Sequence, residues 1–201
     1  MDPKLTHTSQ IIIPVDAPVA VPASEDIRVR LRAIERDDLS LLRDWRNAVV
    51  RYCREWRPLG MADQDAWFAR ITGPDRERHV MFLIEVDGVL SSPQPIGVCG
   101  FTDHDWRCRR ADVSLYIGEP SAMGHGFGRD ALAALLDFGF CEMGLNRVIA
   151  EVFEFNNASL RLFEGFGFRR EGVLRAHHYT EGRWWDSVLF GLLKSEWRAV
   201  P

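Results

Sequence analysis

Glycine occupies every second position from Gly124 to Gly128, and the run Met123-Gly124-His125-Gly126-Phe127-Gly128-Arg129-Asp130 opens directly onto an apolar stripe of Leu132, Leu135, Leu136 and Phe140. That stripe has the spacing of an amphipathic helix. Ahead of the run, Ala111 to Ile117 reads as a strand closed by Gly118-Glu119-Pro120. Beyond the helix, which Gly144 and Asn146 stop, Arg147 to Phe153 reads as the next strand. The unit is strand, glycine loop, helix, strand, a βαβ arrangement. Glycine permits positive φ and lets a ligand approach the main chain closely. The free N–H groups of a first helical turn add the positive end of the helix dipole, and the combination suits phosphate oxygens. The loop is not a P-loop, because no Gly-Lys-Ser/Thr ending follows, and it lacks the third glycine of GxGxxG. Taken alone, it also reads as a turn that merely joins strand to helix.

The rest of the chain carries the pattern of one domain, as its 201 residues suggest. Ile27, Val29, Leu31 and Ala33 alternate with Arg28, Arg30 and Arg32, a period-two strand. A helix is predicted from Arg36 to Val50, with Leu39, Leu42 and Trp45 on one face and Asp37 and Asp38 at its positive end. A second helix, Asp63 to Ile71, turns Trp67, Phe68 and Ile71 inward. Strands follow at Val80 to Val86 and Pro95 to Thr102, separated by a Ser/Pro-rich loop. A last helix is predicted from Asn157 to Phe166. Two final strands, about Phe168 to Leu174 and Asp186 to Leu193, are joined by a turn containing Glu181-Gly182. Residues 1–26 read as a peripheral tail to a domain of residues 27–201. Pro14, Pro18 and Pro22 interrupt the run Ile11-Ile12-Ile13 and the Ala/Val stretch behind it.

A net charge of −4 speaks against a protein that holds nucleic acid by its overall field. No apolar run approaches the length of a bilayer span, and the N-terminus lacks a secretory signal pattern, so a cytoplasmic, membrane-free protein is expected. Cys53, Cys99, Cys108 and Cys141 show neither CxxC nor zinc spacing and read as reduced, mostly buried thiols. Metal roles for His125, His177 and His178 are declined. Adjacent residues on a strand point to opposite faces, which suits two ligands of one ion poorly.

A second constellation lies downstream of the glycine loop. Asn156-Asn157-Ala158-Ser159 begins the last helix, which ends in Glu164-Gly165-Phe166-Gly167-Phe168. With the two motifs in this order, the chain resembles the GNAT superfamily of N-acetyltransferases over about residues 27–197. The loop is similar to the family's pyrophosphate-binding motif, Arg/Gln-x-x-Gly-x-Gly/Ala, and Asn156 to Phe168 to its Asn-x-x-Ser…Glu-x-x-Gly-Phe motif. Asp186 to Leu193 followed by Glu196-Trp197 resembles the branch that includes ribosomal-protein N-terminal acetyltransferases. Trp45-Arg46-Asn47 and Trp67-Phe68 resemble amino-sugar and polyamine acetylating members.

The resemblance implies an α/β (α+β) fold: a mixed, mostly antiparallel sheet of about seven strands with about four helices, splayed between the fourth and fifth strands. It implies acetyl-CoA as cosubstrate, a primary amine as acceptor and, by analogy, a homodimer. The acceptor is a protein N-terminus, an amino sugar, a polyamine or a small amino compound, attacking directly in a ternary complex. The diphosphate would rest on the amides of Gly124, Gly126, Phe127, Gly128 and Arg129. A backbone N–H near Tyr116 or Ile117 would support the oxyanion. Asp112 is the favoured base, with Glu85 and Glu151 as alternatives. Ser159 would protonate the CoA thiolate or hydrogen-bond its sulfur, and Asn156 would meet the pantetheine amides; both also suit helix capping. Tyr179, Trp184 and Trp185 are candidates for the acceptor wall. The chain departs from the family at Met123, where Arg or Gln is usual, and at Phe163, where a tyrosine general acid is frequent. Those departures keep open a catalytically silent acyl-CoA sensor, and the loop alone a nucleotide-binding domain.

Overall fold

The computed structural model describes residues 11–12, 29–52, 55, 57–86 and 93–197. Its elements are β1 (Ile11–Ile12), β2 (Val29–Ala33), α1 (Leu39–Ala48), α2 (Met61–Thr72), β3 (Val80–Val86), β4 (Gln94–Asp105), β5 (Arg110–Ile117), α3 (Phe127–Asp137), β6 (Arg147–Phe153), α4 (Asn157–Gly165), β7 (Arg169–Thr180) and β8 (Arg183–Leu193). The seven strands and four helices predicted from the sequence are all present, and β1 is added to them. The sheet runs β2-β3-β4-β5-β6-β8-β7, antiparallel along this path except between β5 and β6, and β1 pairs parallel with β5 off the path.

Period-two alternation divides β5 between two cores. Ala111, Val113, Leu115 and Ile117 join Leu132, Leu135, Leu136 and Phe140 of the α3 segment and Phe163 of α4. Tyr116 joins Leu39, Leu42 and Trp45 of α1, with Leu83 and Val98, in the second core. Trp67, Phe68 and Ile71 of α2 pack against that second core, as their spacing predicts. Helices α3 and α4 thus cover one face of the sheet, and α1 and α2 cover the other.

The last hairpin is longer than predicted. Glu181 and Gly182 hold φ of 55° and 76°, the pair of positive values that a two-residue hairpin turn needs. Pairing therefore continues out to Thr180↔Arg183. The alternation that would have revealed it is broken by a register shift between Leu174 and His178. The cysteines also depart from expectation. Cys99 is buried, which pushes its thiol up from the usual range, whereas Cys108 and Cys141 are exposed. Cys53 lies outside the described residues.

At the end of β5 the backbone and α1 meet closely. A Cβ on Gly118 would stand 2.3 Å from the Trp45 indole. Gly118→Ala is therefore expected to displace Trp45 and cost about 1–3 kcal/mol, the usual range for overpacking. Chemical denaturation of the variant checks this, and unchanged stability would show that the indole moves aside freely.

Candidate active site

The parallel ladder between β5 and β6 runs only from Arg110↔Arg147 to Asp112↔Ile149. Past Asp112 the two strands part, leaving a gap lined by the main chain of Val113 to Ile117. On the far side of β5, Gly118 N–H donates to Ile96 O at 2.8 Å. Strand alternation then sends the Tyr116 amide toward β4 as well, and turns those of Leu115 and Ile117 into the gap. Of the two residues expected to supply an oxyanion donor, Ile117 alone faces it. β1 lies along the same edge, parallel to β5, with Ile11 opposite Leu115 and Ile12 opposite Tyr116.

The glycine loop stands at the mouth of the gap. Gly124 and Gly126 hold φ of 79° and 86°, and Gly126 is the N-terminal cap of α3. A Cβ on Gly126 would meet nothing within 4 Å, so backbone torsion and not space calls for glycine there. Among the described residues, the amides of Gly124, Gly126, Phe127 and Gly128 find no acceptor in the chain. The Arg129 amide differs from expectation: it donates to Gly126 O at 2.8 Å, closing the first turn of the helix. Its guanidinium lies 5.1 Å from the Phe166 ring centre. Met123 is half-buried against the core.

On the same face of the sheet, Asn156 caps α4. Its Oδ1 accepts from the Ser159 amide at 3.1 Å, and both residues are buried. Capping is thus present, whatever further role the pair has. Phe163 is fully buried against Phe168 and Phe190, at ring separations of 4.8 and 5.8 Å. A packed aromatic occupies the position where a hydroxyl is frequent in the family.

The opposite face of the gap is polar. Asp112 and Ser114 of β5 and Glu151 of β6 are all buried there. Continuing the register beyond Asp112↔Ile149 sets Glu151 level with Ser114. Glu85 lies elsewhere. It is on β3, bound to Arg32 at 2.6 Å, and the same guanidinium holds the Asp38 carboxyl below the usual range. Trp45-Arg46-Asn47 anchors the segment between α1 and α2. Arg46 pairs with Glu55 over the Tyr116 ring, and Asn47 exchanges two hydrogen bonds with Leu59, of 3.0 and 2.7 Å. Trp185 stands 4.9 Å from Phe155, which in turn touches Tyr52. Trp184 and Tyr179 face solvent at the hairpin.

The histidine pair is where alternation misleads most. Ala176 holds φ of 48°, and its amide is gripped by Asp186 Oδ1 at 2.8 Å. This bulge brings both neighbouring rings to β6. His178 stacks on Phe153 at 3.8 Å, and His177 Nε2 stands 3.5 Å from Glu151 Oε1. Among the described residues, no group of three or more His, Cys, Asp or Glu side chains is placed to hold a metal ion.

A glycine-capped helix beside a parted pair of parallel strands offers an anion site next to an open strand edge. Residues 28–169 match the model of the Acetyltransferase (GNAT) domain, and the chain belongs to that family. It is 36% identical to the uncharacterized N-acetyltransferase p20 of Bacillus licheniformis over 54% of this chain and 61% of that protein, somewhat under two thirds of its length. It is 23% identical to the spermidine N(1)-acetyltransferase of Escherichia coli K12 over 85% of this chain and 89% of that protein. The structure of a spermidine N-acetyltransferase from Vibrio cholerae, in complex with CoA and spermine, superposes with a TM-score of 0.75 at 23% identity. That match covers 84% of this chain and 96% of the other, a likeness of fold.

Proposed function

We propose that the chain is an acyl-CoA-dependent N-acetyltransferase that moves an acetyl group from acetyl-CoA to a primary amine. The observation that carries this reading is the set of acceptor-free amides of Gly124, Gly126, Phe127 and Gly128, at the helix end beside the parted strands. Those four amides and the dipole of α3 are suited to the diphosphate. The pantetheine arm would run along the open edge of β5, with the Ile117 amide as donor to the thioester oxygen. Asn156 and Ser159 border the arm from α4, with the Ser159 hydroxyl serving the departing sulfur.

The attacking nitrogen forms its bond to the carbonyl carbon while the C=O electrons move to oxygen. We assign to Asp112 the proton that this nitrogen sheds as the adduct forms. The adduct then expels CoA as a thiolate, which takes up a proton by way of Ser159 or water. A carboxylate can take this proton because the nitrogen of the adduct is more acidic than the free ammonium.

The acceptor is a protein N-terminus, an amino sugar, a polyamine or a small amino compound. The relatives named for spermidine support the polyamine option. The Glu196-Trp197 ending is the feature behind the ribosomal-protein branch, which the relatives found do not single out; in the fold Glu196 accepts from the Leu193 amide and Trp197 stacks on Phe166. The enzyme is read as cytoplasmic and, by analogy, homodimeric; among the described residues no helix is long and apolar enough to cross a membrane. A silent acyl-CoA sensor is the second reading, favoured by the buried phenyl ring at Phe163. CoA binding without thiol release on any amine would select it.

Three outcomes test the reading. Gly126→Val places a β-branched residue at positive φ, at a cost of about 1–3 kcal/mol, and is expected to weaken CoA binding about tenfold or more in calorimetry. Equal affinity would remove the loop from the site. Asp112→Asn is expected to lower turnover by about 10²-fold with CoA affinity unchanged; wild-type turnover would clear Asp112 of a proton-transfer role. Because β1 pairs with the edge that the pantetheine needs, Ile12→Pro, which removes an amide donor from β1, is expected to tighten CoA binding. Unaltered binding would mean that tail and cofactor do not compete.

A further inference from the structure

We propose that His177, positioned by Glu151, is the base that neutralises the incoming ammonium group, a role separate from that of Asp112. The inference rests on the acetyl-transfer reading. Three features of the molecule lead to it. Glu151 is 2% exposed on the polar face of the gap, whereas the His177 side chain is 45% exposed, with its Nε2 3.5 Å from the Glu151 carboxylate. The backbone that delivers the ring is unusual: Ala176 is a non-glycine residue at φ 48°, held there by Asp186, whose own amide donates to Glu154 Oε1 at 3.2 Å. Strain of this kind is retained where the surroundings enforce it and often marks a working site. His178 stacked on Phe153 adds an aromatic surface beside the same carboxylate.

The chemistry divides naturally between two groups. A primary amine arrives mostly as R–NH3+, and imidazole is the side chain most often used as general base for such a proton. Nε2 is the ring nitrogen nearer Glu151, at 3.5 Å, and the tautomer that keeps its hydrogen there leaves the lone pair on Nδ1. Nδ1 takes one proton from R–NH3+ and leaves R–NH2 with its lone pair for the thioester carbon. The imidazolium passes that proton to water, which its exposure allows. The second nitrogen proton leaves at the adduct and is balanced by the one that the CoA thiolate gains. The sum is R–NH3+ and acetyl-CoA giving amide, CoA thiol and one solvent proton.

The other titratable groups around the ring are His178 on β7, Asp186 on β8, Glu154 after β6, and Asp112 across the gap. These groups are common to the wild type and His177→Gln, so the difference between the two pH profiles reports His177.

The experiment is kcat/KM for an alkyl amine against pH, in wild type, His177→Gln and Glu151→Gln, with CoA affinity measured alongside. His177→Gln is expected to lose about 10²-fold at pH 7. It should then recover about tenfold per pH unit and approach the wild-type rate near the amine's own pKa of about 10, where solution supplies the free base. Glu151→Gln removes an anion beside the imidazole, so the acid limb of its profile moves to lower pH. With an aromatic amine, already neutral at pH 7, His177→Gln should cost almost nothing. A loss in His177→Gln that is constant with pH and equal for both amines would overturn the inference as a merely structural effect, as would a wild-type profile. If CoA affinity stays at the wild-type level in such a case, the acetyl-transfer reading stands without it. Failure of the wild type to bind CoA would overturn both.

Discussion

The end of β5–β6 pairing at Asp112↔Ile149 is the constraint on which the remaining structure depends. Parallel strands joined through a helix normally continue their ladder, because an unpaired main chain is costly once water is excluded. Here the ladder stops after three residue pairs, and beyond it the main chain of β5 needs other partners, which β1 supplies at Leu115 and Tyr116. That need makes the opening a place for something with its own amides and carbonyls. The glycine loop is tied to the same event, since the chain leaves β5 at Ile117 and reaches the cap of α3 at Gly126. A groove for an extended arm and a cradle for an anion are therefore adjacent for topological reasons.

The two faces of the sheet then take different work. The α3 and α4 side is apolar up to the buried Asn156–Ser159 cap, a dry wall where polar atoms are tied up in the helix end. The α1 and α2 side collects buried Asp112, Ser114 and Glu151, with an aromatic cluster of Phe153, Phe155 and Trp185 next to them. A reaction that must bind a large apolar-armed cosubstrate and also handle protons is served by keeping those environments on opposite sides of one sheet.

Much of this was legible in the residues. The alternation around Val29 to Ala33, the stripe from Leu132 to Phe140 and the spacing of the glycines all reflect strong local rules, and those elements fall where the periods put them. What was hidden depends on single backbone angles. Nothing in the alternation of β7 announces that Ala176 takes positive φ, because alanine is a poor residue for it and the stabilising Asp186 is ten positions away. Strict alternation makes the two histidines diverge, whereas both turn to β6. The Arg129 amide is a similar case, since its closure of the first turn on Gly126 O depends on backbone angles that no residue type in the loop announces. Trp45-Arg46-Asn47 resembles amino-sugar and polyamine acetylating members, and its contacts include Gly118, Glu55, Tyr116 and Leu59, which tie the end of α1 to the end of β5.

The short strand β1 has a consequence for the ligand-free protein. A bare main-chain edge in the middle of a sheet invites strands from other molecules, and proteins ordinarily blunt such edges. By laying Ile11 and Ile12 along Leu115 and Tyr116, the chain caps that edge with its own N-terminal residues. The same short stretch thus guards against sticky self-association whenever the groove has no guest.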